Sequence, residues 1–354
     1  MSRKPFVLFL ISLAAVLALQ DRPATAQGRV ESDARFEKVA KELYPKAKQE
    51  AGLVVYTVWD VDHIRTLTAA FSKRFPGIST SYWQATRSEV TARTLTESQG
   101  GQPSVDVILT EAPLVLHAAG ATEPYQTVQG SSLFVNDAIA PVASLQIQAL
   151  AFNTKKMKAA DAPKSWEDVT NPRFKGIVAL DDPMRAGPLS GMLAAFKDEW
   201  KDDTRWANFI RGLKALNVTI HKSTSAMFRL VVAGEYSIVM PALFHDVVHE
   251  KEVGSPIDFA RGAGPVVSPQ QAAIYIKAPH PAAGKLFAEW LVSPEGQLAI
   301  DGVGRPSSRK GFKSKTSMEN GWGAKVKPIV VSNKGYIEDA RKWLDTTVKP
   351  IWEN

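Results

Sequence analysis

Short strand-like segments alternate with helix-like segments along most of this sequence. Apolar residues at 53–56 predict a strand between amphipathic helices at 32–51 and 60–75, and residues 78–83 and 105–109 predict two further strands. The intervening connections are only a few residues long. Because such alternation favours parallel strand pairs with helices on both faces, the sequence predicts an α/β fold.

The same alternation continues to the end of the chain. The hydrophobic pattern predicts strands at 146–152, 177–180, 218–221, 236–240 and 272–276, and helices at 190–200, 203–215, 225–233, 242–252, 281–292 and 335–349. A chain of 354 residues exceeds the roughly 250–300 residues that one hydrophobic core usually serves. We therefore expect two lobes.

The first 26 residues have the pattern of a secretory signal peptide. Arg3 and Lys4 precede a largely apolar segment at 6–19, and Ala24-Thr25-Ala26 offers the small residues of a cleavage site. The apolar segment is shorter than the roughly 20 residues of a membrane span. We expect cleavage after Ala26, a periplasmic location and a mature chain that is not embedded in a membrane. The chain contains no cysteine, which excludes thiol chemistry and disulfides.

The charge of the chain is a modest excess of basic residues. Its 43 Lys and Arg against 36 Asp and Glu give +7, spread along the sequence without runs. Nucleic-acid binding usually requires a clustered basic surface, so we expect no nucleic-acid partner. An anionic small ligand is compatible with this charge.

Three segments partly match enzyme motifs, and each lacks a required residue or has the wrong spacing. His249-Glu250 is followed by Val253 where a zinc-protease helix needs its second histidine, and 187–191 has the wrong spacing for a serine-hydrolase elbow. The Gly302-Val303-Gly304 segment lacks the third glycine of a dinucleotide site. His245 and His249 have a spacing that can hold a metal, although one packed and one solvated histidine is the commoner outcome. We expect no cofactor, no metal and no catalytic residue.

Several short motifs, in order, resemble the ferric-iron-type periplasmic binding proteins, which have the type 2 binding-protein fold. They cover about 50 to 310, and they are Leu53-Val54-Val55-Tyr56-Thr57, Asp106-Val107-Ile108, Thr110-Glu111, Phe152-Asn153-Thr154-Lys155-Lys156, Pro163-Lys164-Ser165-Trp166-Glu167-Asp168, Pro172-Arg173-Phe174-Lys175-Gly176, Gly234-Glu235-Tyr236, Pro279-His280-Pro281-Ala282-Ala283 and Leu291-Val292-Ser293-Pro294-Glu295-Gly296-Gln297.

The resemblance implies two lobes, each a mixed sheet flanked by helices, joined by two crossing strands and closing by a hinge. It assigns residues 27–145 and 266–308 to one lobe, and 146–265 and 309–354 to the other. It also implies an ABC importer permease as the partner of a monomeric binding protein.

The sequence departs from that family at the metal site. Iron-binding members carry two adjacent tyrosines after the strand expected at 236–240, and the matching segment 243–248 contains none. Glu111 matches the family's glutamate ligand, and Asp60 falls close to where some members carry histidine. Two carboxylates without phenolates make a poor Fe(III) site.

Helix N-termini with arginine or serine suggest an anion instead, because free N–H groups and the helix dipole favour negative charge. The competing interpretation is that each serine only caps its helix and that each arginine is a solvated surface charge. An aromatic side chain to cover the ligand and a histidine entering the cleft complete the expected ligand site: Trp59, Arg87, Ser88, Glu111, Arg185, Ser223, Thr224, Ser225 and His245.

The sequence thus predicts the solute-binding component of an ABC importer that captures a small organic or phosphorylated anion. Within the same class, the alternative is a protein that binds Fe(III) or an iron chelate. The alternatives of another class are an exported enzyme and a binding module associated with a sensor.

Overall fold

The computed structural model describes residues 33–101, 104–221 and 223–353, so the expected signal peptide at 1–26 lies outside the described residues. Among these residues, strands alternate with helices as the sequence predicts. The eleven strands are β1 (Gly52–Thr57), β2 (Ser79–Gln84), β3 (Val107–Thr110), β4 (Thr122–Glu123), β5 (Val142–Asn153), β6 (Val178–Asp181), β7 (Ile220–His221), β8 (Ile238–Leu243), β9 (Ile257–Phe259), β10 (Val266–Tyr275) and β11 (Ile329–Val330).

Fourteen α-helices accompany these strands in the described part of the chain. They are α1 (Ala34–Glu50), α2 (Val61–Arg74), α3 (Arg87–Gly100), α4 (Pro113–Ala118), α5 (Pro188–Trp200), α6 (Asp203–Ala215), α7 (Thr224–Ala233), α8 (Phe244–Glu252), α9 (Pro281–Val292), α10 (Pro294–Gly302), α11 (Met318–Trp322), α12 (Lys334–Glu338), α13 (Ala340–Trp343) and α14 (Lys349–Trp352).

All the strands join one sheet, which is parallel towards its ends and antiparallel in its middle. The main order is β2-β1-β3-β10-β5-β8-β6-β7, with β4 and β11 beside β10 and β9 beside β5. β1 is parallel to β2 and β3, and β6 is parallel to β7 and β8. The two longest strands, β5 and β10, are antiparallel to each other and to their neighbours β8 and β3. The mixed α/β fold is therefore confirmed.

Separate hydrophobic clusters cover the two ends of this sheet. Near β1, helices α2 and α9 bury Phe71, Phe287 and Trp290 in one cluster. Near β6, helices α5 and α6 bury Phe196 and Trp206 in another cluster, which also includes side chains from the C-terminal helices. Apolar faces at helical spacing on these helices explain both clusters.

The prediction of a single helix at 335–349 is wrong. Asp339 has an extended backbone (φ −149°, ψ 85°) and ends α12, and its carboxylate accepts a hydrogen bond from the backbone N–H of Lys342 at 2.9 Å, which caps α13. An aspartate whose side chain bonds the following N–H groups favours a helix start over a helix interior. The amphipathic pattern is continuous across this break, so periodicity alone did not reveal it.

No helix within the described ranges is long and apolar enough to cross a membrane.

Candidate functional site

A cavity of about 1100 Å³ lies at the carboxyl ends of β1, β2 and β3. Asp60 and His63 follow β1, Thr86 and Arg87 follow β2, and Glu111 follows β3. Helix α8 and the segments 301–306 and 313–316 provide further walls. In open α/β sheets, this edge is where ligands usually bind.

Arg305 is a cation of this cavity without an ion-pair partner among the described residues. Its Nε is buried and has no hydrogen-bond partner, and no carboxylate oxygen of a described residue lies within ion-pair distance. Burial lowers the pKa of Arg305 to about 10, although the charges of Asp60 and Glu111 act to raise it. A guanidinium stays protonated at neutral pH even so. An unpaired charge at the wall of a cavity is costly unless a ligand compensates it.

Two parts of the fold fix the position of Arg305. On one side, its guanidinium carbon lies 4.2 Å from the centroid of the Trp59 ring. On the other, Gly304 has φ +78°, a left-handed conformation that glycine adopts without strain, and the Arg305 N–H donates to the carbonyl of Ile300 at 3.1 Å. The next carbonyl, of Pro306, accepts from the Ser144 hydroxyl at 2.8 Å. The side chain is thereby aimed at the cavity by a rigid loop.

Two histidines of the same cavity also have unsatisfied ring nitrogens. The Nδ1 atoms of His63 and His245 are buried without a hydrogen-bond partner among the described residues. Burial lowers the pKa of both rings, the charge of Arg305 lowers it further, and the nearby carboxylates of Asp60 and, for His245, Asp246 act to raise it. Burial raises the pKa of Asp246. Both rings therefore favour the neutral form in the free protein.

Arg87 and Glu111 face each other where the large cavity meets a smaller one. The Arg87 Nε lies 4.0 Å from Glu111 Oε1, and each side chain is about 30% exposed. The smaller cavity, of about 240 Å³, shares Arg87, Glu111 and Gln146 with the large one. Thr86 caps α3 together with Glu89 in a reciprocal capping box, which fixes the direction of the chain at Arg87.

Three of the nine residues predicted from the sequence line the large cavity, namely Arg87, Glu111 and His245. Five others, namely Trp59, Ser88, Arg185, Ser223 and Thr224, lie outside its lining. Ser88 is exposed and its hydroxyl lies 3.2 Å from that of Thr86. Trp59 is buried beneath Arg305 and donates its indole N–H to Gln270. For these two residues, a ligand contact stays a prediction.

Arg185 lies against a buried carboxylate instead of the cavity. Its Nη2 donates to Asp181 Oδ1 at 2.6 Å, and the Asp181 side chain is 1% exposed. The N-terminus of α5 is also occupied. The Gly187 N–H donates to the Ser190 hydroxyl, the Leu189 N–H donates to Asp181, and Pro188 has no N–H. The predicted anion site at this helix start therefore retains few free donors.

The start of α7 lies outside both cavities as well. The Ser223 hydroxyl accepts a hydrogen bond from the Ala226 N–H at 3.2 Å, as an N-cap does, while Thr224 and Ser225 form the first turn. Neither Ser223 nor Thr224 lines either cavity. This geometry matches the capping interpretation of these serines.

The sequence reasoning missed Arg305 and His63. Arg305 follows the glycines of Gly302-Val303-Gly304 and precedes Pro306, a pattern that signals a rigid loop. That segment drew attention only as an incomplete dinucleotide motif. His63 lies in the first turn of α2, three residues after Asp60, and no motif marks it.

Metal ligation receives no support from the described ranges. They contain no group of three or more histidine or carboxylate side chains close enough to hold a metal ion. The segment that would carry the tyrosine pair contributes Leu243 and His245 to the cavity wall.

Known proteins resemble this chain in both sequence and structure. The family described as bacterial extracellular solute-binding protein matches residues 139–329. An uncharacterized protein of Haemophilus influenzae is 32% identical over 164 residues, which are 44% of this chain and 46% of that protein. The thiamine-binding periplasmic protein of Salmonella typhimurium is 25% identical over 214 residues, 57% of this chain and 63% of that protein. The matches thus span 46% and 63% of the two curated relatives, less than two thirds of either.

Among solved structures, a Bordetella ferric binding protein superposes with a TM-score of 0.69 and 21% identity over 86% of this chain and 100% of its own. The periplasmic binding protein AfuA of Actinobacillus pleuropneumoniae, with exogenous fructose-6-phosphate bound, superposes with a TM-score of 0.63 and 20% identity over 83% of this chain and 98% of its own. These likenesses show that the fold is that of periplasmic binding proteins.

Proposed function

Because the chain belongs to the bacterial extracellular solute-binding protein family, we propose that it is the binding component of an ABC importer and captures a small organic or phosphorylated anion in the large cavity. In this role it binds and releases a solute without chemical change. We extend the proposal to export with cleavage after Ala26, to a monomer in the periplasm, and to delivery of the solute to a permease.

The observation that carries the anion proposal is the set of unsatisfied donors around Arg305. The buried Nε of Arg305 and the buried Nδ1 atoms of His63 and His245 lack hydrogen-bond partners, with Asp60 Oδ2 3.5 Å from the His63 nitrogen. Buried polar groups in proteins are nearly always satisfied. A carboxylate or phosphoryl group accepts several charge-assisted hydrogen bonds at once, so it would satisfy all three residues together.

Most carboxylates of the same cavity have protein partners, and Asp60, which is exposed, lies 3.5 Å from the His63 ring; this argues against a simple cation. Glu252 forms an ion pair with Lys315, and Asp301 accepts from Thr316. Glu111 faces Arg87. Burial raises the pKa of Asp246, which favours its neutral form. Arg305 therefore contributes a positive charge to the cavity wall that no carboxylate of a described residue pairs with at ion-pair distance.

The related solved structures include both kinds of ligand that the sequence leaves open. One solved relative carries fructose-6-phosphate, an organic phosphate, and others are ferric binding proteins. The unpaired donors of this chain favour the organic phosphate or a carboxylate over a bare metal ion. Two lobes at 27–145 with 266–308, and at 146–265 with 309–354, would close on that ligand. The central position of β5 and β10, between the two hydrophobic clusters, supports a hinge there.

Calorimetric titration of Arg305→Met tests this proposal. Methionine keeps an unbranched chain over Trp59 and removes the charge. We expect the affinity for the ligand that mass spectrometry identifies in the purified protein, or for inorganic phosphate and fructose-6-phosphate as probes, to fall about 30-fold or more. The melting temperature of the ligand-free variant should change little, because removal of a charge without an ion-pair partner offsets the loss of the cation–π contact with Trp59.

Arg173→Met is the matched control. The Arg173 guanidinium also stacks on a ring, that of Phe174 at 4.4 Å, but it lies outside the cavity and pairs with Asp168. The affinity of Arg173→Met for the same ligand or probes should equal that of the wild type. Anion binding that survives Arg305→Met unchanged would remove the basis of the proposal.

A ferric titration distinguishes the proposed anion ligand from the alternative ligand, Fe(III) or an iron chelate. Without a tyrosine pair, addition of ferric citrate to metal-free protein should give no phenolate-to-iron charge-transfer colour. One tightly held iron per chain, with such a colour, would favour the alternative instead.

A further inference from the structure

The smaller cavity differs in chemistry from the large cavity that it adjoins. It lies between the start of α5, the middle of β10 and the C-terminal segment that carries Tyr336. Arg87 and Glu111 stand at the boundary and line both spaces. A ligand held in the large cavity can therefore extend past this pair into the second space, which we call the side compartment.

The polar groups of the side compartment are largely engaged with the protein itself. The Tyr336 hydroxyl lies 2.9 Å from that of Ser190 and donates to the Gly187 carbonyl at 3.2 Å. The Ser268 hydroxyl accepts from the Gln148 side-chain amide at 3.0 Å. These groups therefore offer an entering ligand little hydrogen bonding.

Apart from Arg87, Glu111 and Gln146, which the compartment shares with the large cavity, the rest of the wall is mostly apolar. Pro188 and Pro269 provide no N–H, and Ala186, Val331 and Ile337 add hydrocarbon surface. Gly191 also lines this space, and its lack of a side chain leaves part of it open. A Cβ placed on Gly191 would lie 3.6 Å from the Tyr336 hydroxyl oxygen and 3.8 Å from Val331 Cγ1, at ordinary contact distance. A methyl group would thus fit there without strain and would fill part of the compartment.

We propose that the side compartment binds the uncharged, apolar end of the ligand whose anionic head lies in the large cavity. The natural ligand is then an amphipathic organic anion, larger than inorganic phosphate or acetate. This inference rests on the proposed function, because it takes the anion site around Arg305 as the anchor. Burial of hydrocarbon against apolar walls supplies the affinity of the second part.

A ladder of probes tests the inference by calorimetry. The probes are inorganic phosphate with the n-alkyl phosphates from methyl to hexyl, and in parallel acetate with the longer n-alkyl carboxylates. Once the chain passes the Arg87–Glu111 pair, each added methylene should tighten binding about fourfold until the compartment is filled. Inorganic phosphate or acetate gives the affinity of the head group alone.

Gly191→Ala is the diagnostic variant. Because its methyl group fills part of the compartment, affinity should stop rising at a probe chain one or two carbons shorter than in the wild type. The longest probes should bind at least fourfold more weakly, while the affinity for inorganic phosphate or acetate stays unchanged. Gly100→Ala is the matched control, because Gly100 also lies in a helix and a Cβ there meets nothing within 4 Å. The control should reproduce the wild-type ladder.

The outcomes separate the two proposals. If no probe of either series binds at millimolar concentration, the proposed anion site itself is wrong. If phosphate or acetate binds and longer chains add nothing, the anion site stands and the side compartment has no role in binding. A Gly191→Ala variant that weakens every probe equally would assign the compartment to the head group, which also overturns the inference.

Discussion

The guanidinium of Arg305 stacks on the ring of Trp59, with the central carbon 4.2 Å from the ring centroid. Trp59 is 1% exposed and donates its indole N–H to Gln270 Oε1 at 3.1 Å. A desolvated cation–π contact contributes about 2 kcal/mol. The tryptophan thus supports the cation from beneath, on the side away from the cavity.

Replacing Trp59 should affect both stability and binding. We expect Trp59→Leu to lower the free energy of unfolding by about 3 kcal/mol, through the loss of buried volume. It should also weaken the tightest-binding alkyl phosphate more than tenfold, because Arg305 loses its platform. Urea unfolding and calorimetric titration measure the two effects.

Trp290→Leu provides the control for Trp59→Leu. Trp290 is also 1% exposed and belongs to the same hydrophobic cluster as Trp59, but it does not line the cavity. Trp290→Leu should lose a similar free energy of unfolding and keep the wild-type affinity for the alkyl phosphate. Equal losses of affinity in the two variants would show that the effect is general unfolding and not the position of Arg305.

Gln297 should hold the loop that carries Arg305. Its buried amide donates to the carbonyls of Ala143 and Leu291 at 2.6 and 2.7 Å, and its Oε1 accepts from the Ser307 hydroxyl and the Ser308 N–H. We expect Gln297→Leu to cost about 3 kcal/mol of unfolding free energy, because several buried partners are left unsatisfied. Affinity for the same probe should also fall, since Ser307 lies two residues after Arg305.

Gln271→Leu is the comparison for the Gln297 variant. The Gln271 side chain is buried as well, but it donates one hydrogen bond, to the Ala140 carbonyl at 3.2 Å. Gln271→Leu should lower the free energy of unfolding by about 1 kcal/mol and leave the affinity for the probe unchanged. If Gln297→Leu binds the probe like the wild type, the network stabilises the fold without positioning Arg305.

Arg87 and Arg185 should show opposite effects when each is replaced by alanine. Arg185→Ala leaves the buried Asp181 carboxylate without its cation, so we expect a loss of about 2 kcal/mol in unfolding free energy and an affinity within about twofold of wild type. Arg87→Ala breaks a partly exposed pair, so stability should change by less than about 1 kcal/mol, while affinity falls about tenfold or more.

Urea unfolding and titration with the alkyl phosphates distinguish the two arginines. Weakened binding without lost stability in Arg185→Ala would support the sequence-based expectation that this arginine contacts the ligand. Unchanged binding in Arg87→Ala would exclude Arg87 from the head-group site.

The stability of the ligand-free protein should fall as the pH is lowered below about 6.5, the usual pKa of histidine. Burial lowers the pKa of His63 and His245 in the folded state. The unfolded chain therefore binds protons first as the pH falls, and protonation favours unfolding until the pH reaches the lowered folded-state values. Asp246 acts in the opposite sense, because its raised pKa makes the folded state bind the extra proton above about pH 3.9.

A double variant isolates the histidine contribution. Unfolding free energies of wild type and of His63→Gln/His245→Gln, measured between pH 5 and 8, should diverge as the pH falls through this window, with the variant less dependent on pH. Parallel curves would mean that these imidazoles titrate normally in the folded protein.

The sequence by itself determined the alternation of elements and hence the fold class, because hydrophobic periodicity is local. It also identified Arg87 from a helix start, Glu111 from the family resemblance and His245 as a residue entering the cleft, and all three line the large cavity. The interruption at Asp339 escaped it, because a side-chain cap leaves the apolar pattern intact.

Only the tertiary structure decided which helix starts reach the cavity and which cation lacks a partner. The starts of α3, α5 and α7 look alike in sequence, yet Arg185 turns to Asp181 and Ser223 caps its own helix, while Arg87 faces the cavity. Arg305 stacks on Trp59 from far along the chain. Such pairing depends on packing between distant segments, and this non-local information selects the residues of the site.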